Sequence, residues 1–126
     1  MAKILIVDDS ALSRRMLRRI LEPAAHEVIE AADGAAALER YERERPQVVF
    51  LDMTMEGMSG LDVLTTLRKR DPQARVIIAT ADIQEPTRRL VMEAGAAAFL
   101  NKPFAAERVL VALDQVLAGG GHVAQR

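Results

Sequence analysis

The sequence predicts an α/β fold in which a parallel sheet is covered by helices on both faces. Three observations carry that prediction. Short, continuous apolar runs rich in β-branched residues recur along the chain, as expected of strands buried on both sides. Longer amphipathic stretches separate them, and the alternation repeats five times at a period of about 25 residues. The 126 residues suffice for one such domain with a real core and are too few for two.

The elements follow in order. Ile4-Leu5-Ile6-Val7 is the first strand. Ser10 to Leu21 forms the first helix, with apolar residues at Leu12, Met16, Ile20 and Leu21 and with Arg14, Arg15, Arg18 and Arg19 placed on the other side; Pro23 stops it. His26 to Ala31 is a weaker, partly alternating strand and belongs at an edge. Gly34 to Glu44 is helical by its Ala, Glu and Arg content, and Val48 to Leu51 is the third strand. The third helix opens at Ser59, three residues before Asp62, and closes at Arg70, ahead of Asp71-Pro72. Val76 to Ala79 is the fourth strand. A fourth helix starts at Glu85-Pro86 and ends at Gly95. Ala97 to Leu100 is a short fifth strand. Phe104 to Leu117 carries Phe104, Val109, Leu113, Val116 and Leu117 at helical spacing, and Gly119-Gly120-Gly121 ends it. Right-handed crossovers with the weak strand second predict a flavodoxin-like, doubly wound (βα)5 sheet of order 2-1-3-4-5. The domain is expected over residues 1–118, with 119–126 a flexible tail or truncated linker.

Composition removes several function classes. Half of the residues are hydrophobic, which argues against disorder, and a formal net charge of −1 lacks the basic footprint of nucleic-acid binding. With no cysteine there is no disulfide, thiolate metal site or cysteine nucleophile. No apolar run approaches a membrane span, and the first one ends in Asp8-Asp9, unlike a signal peptide. A cytoplasmic protein is the expectation.

In a parallel sheet every strand points its carboxyl end at the same rim, where ligands bind. Strand 1 ends in Asp8-Asp9-Ser10, strand 3 in Asp52, strand 4 in Thr80-Ala81-Asp82 and strand 5 in Asn101-Lys102-Pro103. Taken singly, Asp9 or Ser10 could be a helix cap and Asp52 a turn residue. Their conjunction demands more, because two carboxylates about 4 Å apart repel by roughly 4 kcal/mol at an effective dielectric near 20. Lys102 supplies one compensating charge, so the cluster calls for a cation. An all-oxygen donor set favours Mg²⁺, and Mn²⁺ or Ca²⁺ also suit it. A hard ion, an aspartate, a lysine and a hydroxyl together suit phosphoryl transfer, with the aspartate as nucleophile.

This pattern resembles the receiver domain of two-component response regulators, most closely a small, single-domain, chemotaxis-type member. The resemblance covers roughly residues 3 to 118. It rests on Asp8-Asp9, Asp52, Gly60, Thr80-Ala81, Phe99 and Lys102-Pro103, spread over the whole chain. It implies that Asp52 is the phosphoacceptor and that Asp9, Asp52 and the Thr54 carbonyl ligate Mg²⁺, with Asp8 acting largely through a water of the metal. Lys102 would pair with the phosphoryl group, Thr80 would hydrogen-bond it, Ala81 would leave room for it, and Phe99 would swing inward behind Thr80. The resemblance also implies a cis Lys102-Pro103 peptide. It further implies phosphoryl donation by a histidine kinase or histidine phosphotransfer protein, and output through the surface of the fourth helix, fifth strand and fifth helix to a protein target. The protein would be a switch catalysing only its own phosphorylation and dephosphorylation, as a monomer or a phosphorylation-dependent dimer, without nucleic-acid or membrane binding by this domain.

Two positions depart from the family pattern. Glu56 stands where a proline is usual, and Ser59 stands where Asp or Asn usually precedes the loop glycine. The arginines of the first helix read as a solvated face, with Arg14 and Arg15 as the alternative docking contact for a kinase or phosphotransfer bundle. Met53, Met55 and Met58 read as packing. Two other classes fit less well. A phosphatase of the haloacid-dehalogenase type needs a second acid where Thr54 stands. A flavin-mononucleotide binder needs a hydroxyl-rich phosphate loop where Asp8-Asp9 would repel the ligand.

Overall fold

The computed structural model describes residues 2–82 and 84–119. Five parallel strands form one sheet in the order 2-1-3-4-5. They are β1 (Lys3–Val7), β2 (Glu27–Ala31), β3 (Val48–Leu51), β4 (Val76–Thr80) and β5 (Ala98–Asn101). Five helices alternate with them: α1 (Ala11–Leu21), α2 (Gly34–Glu44), α3 (Gly60–Arg70), α4 (Glu85–Glu93) and α5 (Ala106–Gly119). This is the flavodoxin-like fold, with β2 at one edge and β5 at the other. No helix among the described residues is long and apolar enough to cross a membrane.

The continuous apolar runs are explained by burial on both faces. In β1, Ile4 and Ile6 pack with Leu17, Leu21, Val109, Leu113 and Val116 of α1 and α5. Leu5 and Val7 point the other way, toward Tyr41, Val63, Leu64, Leu67 and Val91 of α2, α3 and α4. Adjacent residues of one strand thus serve opposite layers, so every position must be apolar. The wholly buried β3 and β4 show this most fully.

Most helix starts are written locally. The Ser10, Asp33 and Ser59 side chains accept hydrogen bonds from the backbone N–H groups of Ser13, Ala36 and Asp62, capping α1, α2 and α3. Gly95 at φ +103° follows the end of α4, a left-handed conformation suited to glycine. Several boundaries differ from expectation by a residue or two. A 3₁₀ turn over Glu22–Ala24 takes Pro23 in its first turn, so the proline carries the chain on in a tighter coil after α1. β5 sits one residue later than Ala97–Leu100, and α5 starts two residues after Phe104, because the Lys102–Pro103 turn stands between them. Residues 120–126, most of the expected tail, lie outside the described residues.

The packing of α1 corrects one reading. Leu17 and Leu21 are buried, whereas Leu12 is 62% exposed and Met16 38%. At 100° per residue, positions 14, 17, 18 and 21 share one side of the helix, and 12 and 16 lie opposite. Arg14 and Arg18 therefore flank the core-facing side.

Candidate functional site

Strand register brings the polar residues to one rim. Val7 pairs with Leu51, and Leu51 with Ile78, so Asp8 and Asp52 leave the sheet side by side. The Asp52 backbone N–H donates to the Val7 carbonyl at 3.0 Å, carrying the ladder one step past the strands. Thr80 pairs with Asn101, and the Lys102 backbone N–H donates to the Thr80 carbonyl at 2.9 Å. Four strand ends thus deliver their side chains to a common depth.

Ligand oxygens of Asp8, Asp9 and Asp52 lie within 4.8 Å of one another. Asp8 and Asp52 are buried, at 2% and 5% exposure, and Asp9 is exposed. Lys102 Nζ donates to Asp8 Oδ2 at 2.7 Å and stands 3.7 Å from Asp52 Oδ2. The other Asp8 oxygen accepts the Ser10 backbone N–H at 2.9 Å. Burial first, and then the neighbouring Asp8 carboxylate, push the Asp52 carboxyl above its ordinary value; Lys102, the Thr80 hydroxyl and the Thr54 backbone N–H pull it back only in part. One ammonium against three carboxylates leaves net negative charge in a largely buried place. That charge imbalance, with oxygen donors throughout, fits a hard divalent cation.

The remaining predicted residues differ in burial and contacts. Thr80 is fully buried and its Oγ1 accepts the Asp82 backbone N–H at 3.2 Å. Ala81 is exposed at the rim, and Lys102–Pro103 is a cis peptide. Phe99 is half-buried on β5, with the Arg88 guanidinium 5.8 Å above its ring. It lines a groove of about 500 Å³ together with Arg88, Asn101, Phe104 and Arg108. Glu56 is exposed, and Met53, Met55 and Met58 pack against the α2–α4 core layer. Ser59 serves as the α3 cap.

The two arginines proposed for docking separate. Arg15 is exposed, but Arg14 is half-buried and tied back onto the fold: its Nε donates to Glu30 Oε1 at 2.7 Å and its Nη1 to the Asp8 carbonyl at 2.7 Å. Arg18 Nε takes the other Glu30 oxygen at 2.7 Å. Burial raises the Glu30 carboxyl, and the bonds from Arg18 and Arg14 outweigh it and hold the group below its ordinary value. The sequence reading missed Glu30. The i, i+4 spacing of Arg14 and Arg18 beside the edge strand that follows their helix was the available signal.

A family model described as the response regulator receiver domain matches residues 4–114. The chain is 40% identical over 115 residues to the chemotaxis protein CheY of Thermotoga maritima, covering 90% of this chain and 96% of that one. It is 41% identical over 116 residues to the chemotaxis protein CheY of Bacillus subtilis, covering 91% and 97%. Among solved structures, the chemotaxis protein CheY4 of Vibrio cholerae superposes with a TM-score of 0.88 at 33% identity, covering 93% of this chain and 99% of that one.

Proposed function

The chain belongs to the response regulator receiver domain family, and on that premise we propose that it is a phosphorylation-activated switch whose phosphoacceptor is Asp52. Receiver domains are signalling switches that work with histidine kinases or phosphotransfer proteins and with downstream targets. The observation that carries the proposal is the gathering of Asp8, Asp9 and Asp52 within 4.8 Å beside the Lys102 ammonium. The receiver unit is residues 1–118.

An oxygen of Asp52 attacks the phosphorus of a phosphohistidine donor. The new O–P bond forms as the P–N bond breaks, and its electron pair stays on the donor's imidazole nitrogen. The phosphoryl group adds about two negative charges to a site that already repels itself. Asp9, Asp52 and the Thr54 carbonyl would hold Mg²⁺, with Asp8 behind them. Bound Mg²⁺ supplies charge neutralisation at the phosphoryl oxygens. Lys102 reaches the same oxygens from the β5 side, and small Ala81 leaves them space. The Thr80 hydroxyl turns to hydrogen-bond the phosphoryl group and gives up its bond from the Asp82 N–H. Phe99 then moves toward the vacated volume and changes the face formed by α4, β5 and α5, which a protein target reads. Moving such an equilibrium from 1:99 to 99:1 takes about 5.5 kcal/mol of differential stabilisation.

Incubation with acetyl phosphate and Mg²⁺ should add the mass of one phosphoryl group to the wild type and nothing to Asp52→Asn. Beryllofluoride with Mg²⁺ should shift amide resonances around Thr80 and Phe99 in the wild type alone. Equal labelling of the Asp52→Asn variant would refute the assignment.

A further inference from the structure

We propose that Arg14 is a positioning residue for the metal pocket: anchored by Glu30, it fixes the Asp8–Asp9 peptide and so presets Asp9 for the cation. The proposal rests on the metal-site reading above. Arg14 is half-buried rather than free in solvent. Its guanidinium bridges β2 and the loop after β1, with Nε on Glu30 Oε1 and Nη1 on the Asp8 carbonyl, both at 2.7 Å.

That carbonyl belongs to the peptide joining the buried Asp8 to the exposed Asp9. The Asp8 side chain already has two partners of its own, the Ser10 N–H and Lys102 Nζ. The strand ladder reaches Asp8 through its N–H, which donates to the Ala31 carbonyl at 3.2 Å. The Asp8 carbonyl is the next group along, and Arg14 is what holds it. With that carbonyl held, the plane of the peptide is set, and with it the direction in which Asp9 leaves the chain. Mutual repulsion among three carboxylates would otherwise turn the exposed one outward. Glu30 completes the device in two ways. It fixes the guanidinium as a planar fork, and its negative charge offsets the arginine's, so the clamp adds little positive potential where a cation must bind. Arg18, on the opposite Glu30 oxygen, shares the anchor without touching Asp8.

Charge and position make opposite predictions. If Arg14 acted only as a nearby cation, removing it would tighten Mg²⁺ binding. As a positioning residue, removing it must weaken binding, by about 10-fold, the lower end for groups that orient metal ligands. Mg²⁺ affinity is measured by calorimetric titration of the full chain at fixed pH and salt for wild type, Arg14→Met, Arg14→Lys and Arg18→Met, with thermal melts in EDTA alongside. Arg14→Met should bind Mg²⁺ about 10-fold more weakly, and Arg14→Lys nearly as weakly, because an ammonium cannot span both acceptors. Arg18→Met, which loses the bond to the other Glu30 oxygen, should keep the wild-type affinity even where its melting temperature falls as far. Wild-type or tighter binding by Arg14→Met, or equal weakening in Arg18→Met, overturns the proposal. Absence of Mg²⁺ binding by the wild type would instead overturn the metal-site reading beneath it.

Discussion

A methyl group on Gly60 would lie 2.3 Å from the Asp52 carbonyl oxygen and 2.6 Å from the Met53 Cα. Both atoms are backbone and cannot turn aside, so the first residue of α3 must be glycine for the chain after Asp52 to pass. Gly60→Ala should cost about 3 kcal/mol by overpacking, read from urea unfolding. It should also disturb Asp52, because the clash falls on that residue's own peptide; a stability loss under about 1 kcal/mol would show that the loop yields instead. At this scale the sequence was informative. Asp8, Asp52, Thr80 and Lys102 each stand at or just after the end of an apolar run, so their types and places could be read directly. Arg14 could not be read that way, because its neighbours Asp8 and Glu30 come from the loop after β1 and from β2.

Helix α1 shows how an element can be recognised and yet be turned the wrong way. Its limits follow from the Ser10 cap and Pro23, but its roll about its own axis does not. The expected strip of Leu12, Met16, Ile20 and Leu21 splits in the fold: Leu12 and Met16 lie on the outer side, whereas Ile20 and Leu21 join Leu17 against the core. The core-facing side is thus the one with Leu17 and Leu21, so Leu17→Ala should cost about 3 kcal/mol and Leu12→Ala less than about 0.5. Equal costs in denaturant titrations would contradict the observed packing. The same roll places Arg14 and Arg18 over β2, where Glu30 pairs with both. The folded-state value of Glu30 is depressed. Its contribution to stability is therefore fully present above the ordinary carboxylate range and is lost as pH falls through the depressed value. Glu30→Gln should lower the melting temperature at neutral pH and flatten its acid decline, as followed by circular dichroism from pH 7 to 3. A parallel decline in the two proteins would show that Glu30 does not titrate into that transition.

For the molecule as a whole, the site stands against stability. Asp52 has its carboxyl raised by burial and by Asp8. A raised carboxyl favours folding when protonated, and that advantage is lost as pH rises through the folded value. Without metal, ionising Asp52 therefore burdens the fold. Asp52→Asn should melt several degrees higher than the wild type in EDTA at pH 7.5, and the gap should narrow toward acid pH. Mg²⁺ should reverse the order of melting, since a ligand at 100 times its Kd adds about 2.7 kcal/mol to a protein that binds it. A variant no more stable than the wild type in EDTA would mean that Lys102 already neutralises the site.

The alternation of strands and helices, the Ser10 and Ser59 starts of α1 and α3, and the residues at the sheet's carboxyl rim could all be read from the order of amino acids. Those features depend on local periodicity, on side chains bonding their own backbone, and on the fixed direction of a parallel strand. Folding alone settles which side of α1 meets the sheet, that Arg14 turns to Glu30 and the Asp8 carbonyl, and that Lys102 lies nearer Asp8 than Asp52. These depend on distances between elements remote in sequence, which are set when all the layers pack at once.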